Sequence, residues 1–209
     1  MSNCPRSNII KGYLNPIHFN YINKTNSTGN VALGIKTRYA TWTDIHEALG
    51  KLSSKVIGEF KPQVLISIAK GGLLPARIIA DILSVDEIGF IEVKLYKSIG
   101  IRGEKPYIKL MGVPPIMDKD VLVVDDVIDS GRTMQLVVDT LSKYTPRSIK
   151  ALAIYIKPWS TYIPDYYHAR TDEWIVFPWE ICESAREGVE LDHPEYRNIS
   201  HYCQGRNSN

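Results

Sequence analysis

Between Val121 and Thr133 the chain reads VLVVDDVIDSGRT, which sets opposite chemistries side by side. An apolar run ends in two carboxylates, Asp125 and Asp126. A third, Asp129, follows, and then Ser130, Gly131, Arg132 and Thr133. Ionised carboxylates only accept hydrogen bonds, so the pair suits vicinal hydroxyls, which donate, or a hard cation such as Mg2+. The residues after Asp129 have the reverse character. Two hydroxyls, a glycine that allows close backbone approach and the N–H groups of a helix start make a place for an anion. One small ligand needs both: a sugar with free hydroxyls at one edge and a phosphate at the other, and ribose 5-phosphate fits. Two rival uses of an apolar strand ending in acids are weaker. A Walker B strand needs a G-x-x-x-x-G-K-[ST] loop, which the chain lacks. A phospho-acceptor domain would carry the acid pair after its first strand, whereas here it falls mid-chain. A plain solvated acidic turn would not need so long and specific a pattern.

For these groups to act together, the acids must sit at the carboxyl end of a strand in an open parallel sheet, where ligands of such sheets bind. The flanking sequence supplies that frame. Thr43 and Asp44 can cap a helix, with Glu47 reaching back, and Ile45, Leu49, Leu52, Val56 and Phe60 follow at helical spacing until Lys61-Pro62. Val64–Ile68 reads as a strand, then Ala-Lys-Gly-Gly, then a helix with Pro75 in its first turn and Leu74, Ile78, Ile79 and Ile82 as its apolar face. Ile88–Val93 is a strand. Lys97–Pro106 is polar and reads as a mobile loop, and Tyr107–Met111 as a further strand. Val121–Val124 is apolar on both faces, as a central parallel strand should be. A helix with Met134, Val137, Val138 and Leu141 on one side leads to a strand over Ile149–Ile156. Strands and helices alternate from Thr41 to Ile156, which predicts one α/β domain around a mostly parallel sheet.

Three divisions follow: residues 1–38, an arm of irregular structure or weak strands; 39–160, the α/β core; and 161–209, a segment closing over the site and a tail. At 209 residues, 44% hydrophobic, the chain can bury one substantial core. A net charge of +2 gives no reason to expect nucleic acid or a membrane surface as partner. No apolar run nears the roughly 20 residues of a membrane span, and the first residues lack a signal-peptide core, so a cytoplasmic protein is expected. Cys4, Cys182 and Cys203 form neither a disulfide framework nor a zinc set. Buried or idle thiols are the plainer reading, with a Cys182–Cys203 bridge as the alternative.

At VLVVDDVIDSGRT the sequence closely resembles the type I phosphoribosyltransferases. Their signature for phosphoribosyl pyrophosphate is an apolar strand, two acids, two apolar residues, then Asp or Ala, Ser or Thr, Gly, any residue and Thr. The resemblance covers about Thr41 to Arg186 and implies their fold: a mostly parallel central sheet flanked by helices, with a small hood from the terminal segments. It implies Asp125 and Asp126 on the ribose and its Mg2+, and Asp129 to Thr133 around the 5′-phosphate. Asp129 in place of Ala resembles the 6-oxopurine branch, where this aspartate is the proposed acid/base at N7. Ala69-Lys70-Gly71-Gly72 is similar to the pyrophosphate loop, with Lys70 and Gly71 as contacts; there the peptide before the basic residue is often cis. Lys157-Pro158 resembles a pair in xanthine-guanine enzymes whose lysine donates to O6 of the purine. Asp172 to Glu180, DEWIVFPWE, resembles their base-binding segment, with Trp174 over the purine and the Ile175 carbonyl near C2, while Trp179 is assigned to packing. Glu180 and Arg186 fall where relatives carry a second metal-binding acid and a pyrophosphate-binding arginine. Ser98–Lys105 would be the flexible hood loop, though it lacks the usual Ser-Tyr pair. The implied reaction joins a 6-oxopurine to phosphoribosyl pyrophosphate, giving the purine nucleoside monophosphate, in a homodimer or homotetramer. The alternatives are an adenine phosphoribosyltransferase on the same scaffold and a regulator that senses phosphoribosyl pyrophosphate without turnover.

Overall fold

The structure, a computed structural model, describes residues 36–97, 104–189 and 191–203. These divide into two compact units, one over Trp42–Asp172 and the other from the described residues up to Thr41 together with those from Glu173 onward.

The larger unit is built on six strands: β2 (Val64–Ala69), β3 (Glu87–Lys97), β4 (Glu104–Gly112), β5 (Asp120–Ile128), β6 (Ser148–Ile156) and β7 (Tyr166–Arg170). Their order across the sheet is β4-β3-β2-β5-β6-β7, and only the β3–β4 pair is antiparallel. This is the mostly parallel sheet expected. Three helices cover it: α1 (Trp42–Glu59), α2 (Leu73–Leu83) and α3 (Arg132–Ser142). Strand residues alternate between faces. Val64, Ile66, Val121, Val123, Ala151 and Ala153 share one core cluster with Met134, Val137 and Leu141 of α3. Leu65, Leu122, Val124, Leu152 and Ile154, the alternate set, are just as buried. Both faces being covered is why Val121–Val124 of β5 is an unbroken apolar run and β2 is apolar apart from the buried Ser67. Each of the Val, Leu, Ile and Met side chains among these contributes about 1.5–3 kcal/mol on burial.

Several elements differ from their sequence reading. α1 starts at Trp42, so Thr43 and Asp44 lie in its first turn rather than capping it. α2 buries Pro75, Ala76, Ile79 and Ala80, while Leu74 and Ile82 are exposed. Ile79 faces the protein as expected, but Ala76 and Ala80 share that face in place of Leu74 and Ile82, and their small side chains let the helix approach closely. The predicted loop over Lys97–Pro106 is shorter: Lys97 ends β3 and Glu104–Pro106 begin β4, and residues 98–103 lie outside those described. The expected hood loop therefore falls mostly outside them too. β7 pairs with β6, so the sheet runs past residue 160, the boundary read from sequence, to Arg170.

In the smaller unit, β1 (Thr37–Tyr39) pairs in parallel with β8 (Trp174–Val176). α4 (Ile181–Arg186), α5 (Pro194–Ser200) and a final 3-10 turn, His201–Cys203, follow. Tyr196 is fully buried with Val176 and Ile181, and its hydroxyl donates to the carbonyls of Ala40 and Val176. Cys182 and Cys203 form a disulfide, against the reading as idle thiols. Packing of α4 against the last turn brings their Cα atoms to 4.9 Å, within the range such a bond requires. Residues 1–35, most of the expected arm, lie outside the described residues; within 36–38, Thr37 and Arg38 belong to β1.

Candidate active site

The acid pair owes its position to a difference in strand length. β5 pairs with β2 only as far as Ser67↔Val124, but with β6 as far as Ile128↔Ile156. From Asp125 onward the β2 side of β5 is open, and the turn Ala69–Gly72 fills the gap. The Ala69–Lys70 peptide is cis, as in the resembled loop. Gly71 lies directly on the acid pair: a Cβ there would fall 2.1 Å from Asp126 Oδ2. Gly72 is as close to backbone, with a Cβ 2.4 Å from the Val124 carbonyl oxygen. No residue with a side chain fits either place without displacement, which explains the Gly-Gly.

Asp125 and Asp126 are 8% and 7% exposed, rare for carboxylates. Asp125 Oδ1 accepts from the Asp126 amide at 3.0 Å, and Asp126 Oδ1 from the Val127 amide at 2.6 Å. Burial, and then the charge of Asp126, push the Asp125 carboxyl well above its ordinary range. The pair is thus held in a place that favours an incoming donor or cation. Among the described residues no three His, Cys, Asp or Glu side chains form a ready-made metal centre. Two buried acids suit Mg2+, which takes one or two carboxylates and draws its remaining ligands from substrate oxygens and water.

Three residues beyond, the chain turns through Asp129, Ser130 and Gly131 into α3. Gly131, the residue before the helix, has φ 84°, a conformation glycine adopts at little cost. A Cβ there would meet the Tyr162 amide nitrogen at 2.6 Å. The first N–H groups of α3 have no partner within the helix, so the loop Asp129–Thr133 can grip an anion. It is braced from outside: the Thr161 amide and hydroxyl both donate to the Ser130 carbonyl, at 3.2 and 2.9 Å. Lys157, buried to 6% exposure, follows β6, and its amide donates to the Ile128 carbonyl at 2.9 Å. Its ammonium lies 5.7 Å from the centre of the Trp159 ring.

One residue of this region went unread in the sequence. The indole N–H of Trp159 donates to Asp129 Oδ1 at 2.7 Å. The only available signal was a Trp immediately after Lys157-Pro158, at a strand end, with no periodicity to mark it.

The larger unit therefore carries Lys70, Gly71, Asp125, Asp126, the loop Asp129–Thr133 and Lys157 on the carboxyl ends of β2, β5 and β6 and the turns that follow. The other sequence-predicted residues belong to the smaller unit. Trp174 opens β8, half-buried, and packs against the Val176 cluster. Ile175 is buried. Glu180 and Arg186 stand at the two ends of α4. Trp179 stacks on Phe177, with ring centres 4.8 Å apart. Lys36 and Arg38 reach Glu173 at 2.9 and 2.5 Å, next to Trp174. They hold the Glu173 carboxyl down to about 2. A lowered value stabilises the fold above the ordinary 4.5, and that stability is lost as pH falls through about 2. Thermal melts of the parent and Glu173→Gln should accordingly differ most near neutral pH and converge between about pH 4.5 and 2.

Residues 38–186 match the family model of the phosphoribosyl transferase domain. The chain belongs to the phosphoribosyltransferase family. Among relatives, it is 30% identical over 154 residues to the xanthine-guanine phosphoribosyltransferase of Cereibacter sphaeroides, covering 69% of this chain and 87% of that one. It is 28% identical over 146 residues to the enzyme of the same name from Idiomarina loihiensis, covering 68% and 86%. A crystal structure of a purine phosphoribosyltransferase from Pyrococcus horikoshii is 38% identical, with a TM-score of 0.63, covering 69% of this chain and 94% of that one.

Proposed function

We infer that the chain is a purine phosphoribosyltransferase that joins phosphoribosyl pyrophosphate to N9 of a 6-oxopurine, as the names of its relatives support. The observation that carries this reading is the buried Asp125–Asp126 pair three residues before the Asp129–Thr133 loop that opens α3, with Lys157 at the end of the neighbouring strand. Asp125 and Asp126 accept from the ribose 2′ and 3′ hydroxyls, and the amides and hydroxyls of Asp129–Thr133 hold the 5′-phosphate. Both ends of the sugar are then fixed while C1′ reacts. The C1′–oxygen bond breaks with its electron pair leaving on pyrophosphate, near Lys70 and the Gly71 turn. The two carboxylates favour the positive charge that gathers on the ribose. Asp125 and Asp126 would hold Mg2+, which would supply positive charge to offset the negative charge developing on the leaving group. N9 bonds to C1′ as Asp129 takes or relays the proton at N7.

Lys157 sets the choice of base. An ammonium only donates, so it favours the carbonyl at C6 and disfavours the amino group of adenine. The roles proposed for Trp174, Ile175, Glu180 and Arg186 rest on the resemblance of their segment, as does assembly into a dimer or tetramer.

The test is pyrophosphate release from phosphoribosyl pyrophosphate and Mg2+ with hypoxanthine, guanine, xanthine or adenine. Turnover of one or more 6-oxopurines well above adenine is expected, with inosine or guanosine monophosphate or its xanthine analogue as product. Lys157→Met should lower kcat/KM for the 6-oxopurine by about 10–100-fold, the worth of a charged hydrogen bond, and narrow the gap to adenine. Turnover of adenine alone would replace the 6-oxopurine assignment with the adenine one.

A further inference from the structure

We propose that Trp159 is a positioning residue for base activation: its indole N–H fixes the Asp129 carboxylate and its ring face supports the Lys157 ammonium. The inference rests on the reading of Asp129 as the group that handles the N7 proton.

Geometry carries it. Trp159 Nε1 donates to Asp129 Oδ1 at 2.7 Å across a sequence gap of 30 residues, a length typical of a charge-assisted bond. The Lys157 ammonium lies 5.7 Å from the centre of the same ring, within reach of a cation–π contact. An indole has a positive edge and a negative face, so one side chain can hold an anion at its N–H and a cation over its plane. Those are the two charged groups assigned to neighbouring atoms on one edge of the purine, one to N7 and one to O6.

The indole is itself held. The Ser160 amide donates to the Lys157 carbonyl at 3.1 Å, closing a turn around Trp159. The Ser160 hydroxyl donates to the Tyr162 carbonyl at 2.8 Å. Thr161 bonds twice to the Ser130 carbonyl, so the turn bearing Trp159 and the loop bearing Asp129 form one frame. A carboxylate on a free loop would sample several rotamers, and ordering it would add to the barrier. Trp159 removes that cost before substrate arrives.

Trp159→Phe keeps the ring and deletes the donor. It should lower kcat by about 10–100-fold, the scale of misplacing a reacting group, with KM for phosphoribosyl pyrophosphate unchanged because the phosphate loop keeps its own braces. A residue that merely supported the loop would raise that KM instead. In an Asp129→Asn background the Phe substitution should cost little more, since both act on one step. Trp159→His, which restores a ring N–H, should regain part of the loss. A Phe variant as fast as the parent, a loss that multiplies undiminished in Asp129→Asn, or a His variant no better than Phe would overturn the proposal. Full activity in Asp129→Asn alone would instead overturn the role given to Asp129.

Discussion

Asp125→Asn with Asp126→Asn is expected to lower kcat/KM for nucleotide synthesis by about a thousandfold or more, and to make the protein more stable. The first effect follows from charge. Removing a single preorganised partner of a developing charge costs about 100–1,000-fold, and here two carboxylates that face a positive ribose are neutralised. The second follows from burial. The Asp125 carboxyl is raised above its ordinary 3.8 by desolvation first and by Asp126 second. A raised value means the group stabilises the fold below 3.8, and that contribution is lost as pH rises through the folded value. Wherever the carboxyl is ionised, its charge is held at the expense of the fold. Asparagine keeps the oxygen that accepts the next backbone amide and removes the charge. The melting temperature should rise by about 2–4 °C, what ~1 kcal/mol is worth in a chain of this size. The gain should shrink in acid. A double variant that is inactive and also melts lower would show that the pair is structural.

Gly71→Ala is expected to damage activity more than folding, and Gly72→Ala the reverse. At Gly71 the added carbon meets the Asp126 carboxylate, a side chain that can swing aside. The fold survives, but the acid leaves its place, and a displacement near 1 Å can cost about 100-fold in rate. At Gly72 the obstacles are the carbonyl oxygens of Val124 and Ile68, with a Cβ 2.4 and 2.8 Å away. Those belong to two central strands and cannot move independently, so destabilisation by more than about 3 kcal/mol is expected. Steady-state kinetics and denaturant melts on the two variants separate these outcomes. Equal effects of both substitutions on both readouts would mean that Gly71 has no special relation to the acid pair.

The thirteen-residue motif was legible because its chemistry is local. A buried parallel strand has to be apolar, and its end has to carry the acids, so pattern and place coincide. The central strands and α3 were legible for the same reason. The helix α2 and its buried Ile79 were legible, but Leu74 and Ile82 were not placed rightly, because periodicity marks the largest apolar residues while close approach to the sheet selects Ala76 and Ala80. Trp159 was invisible because its role depends on the turn after β6 meeting the loop after the neighbouring β5 at Asp129, a tertiary contact with no sequence period. The Cys182–Cys203 bond likewise depends on how α4 and the last turn pack.

The most direct test of the ribose clasp is equilibrium binding of three ligands to the same protein: a purine nucleoside 5′-monophosphate, its 2′,3′-dideoxy counterpart, and the nucleoside without phosphate. Losing the diol should weaken binding by about 100-fold or more, at roughly 1.5–3 kcal/mol for each hydrogen bond to a charged group. Losing the phosphate should weaken it at least as much. In the Asp125→Asn, Asp126→Asn protein the preference for the diol should largely vanish while the preference for the phosphate remains. Equal affinity of the parent for the nucleotide and its dideoxy form would contradict the account at its centre.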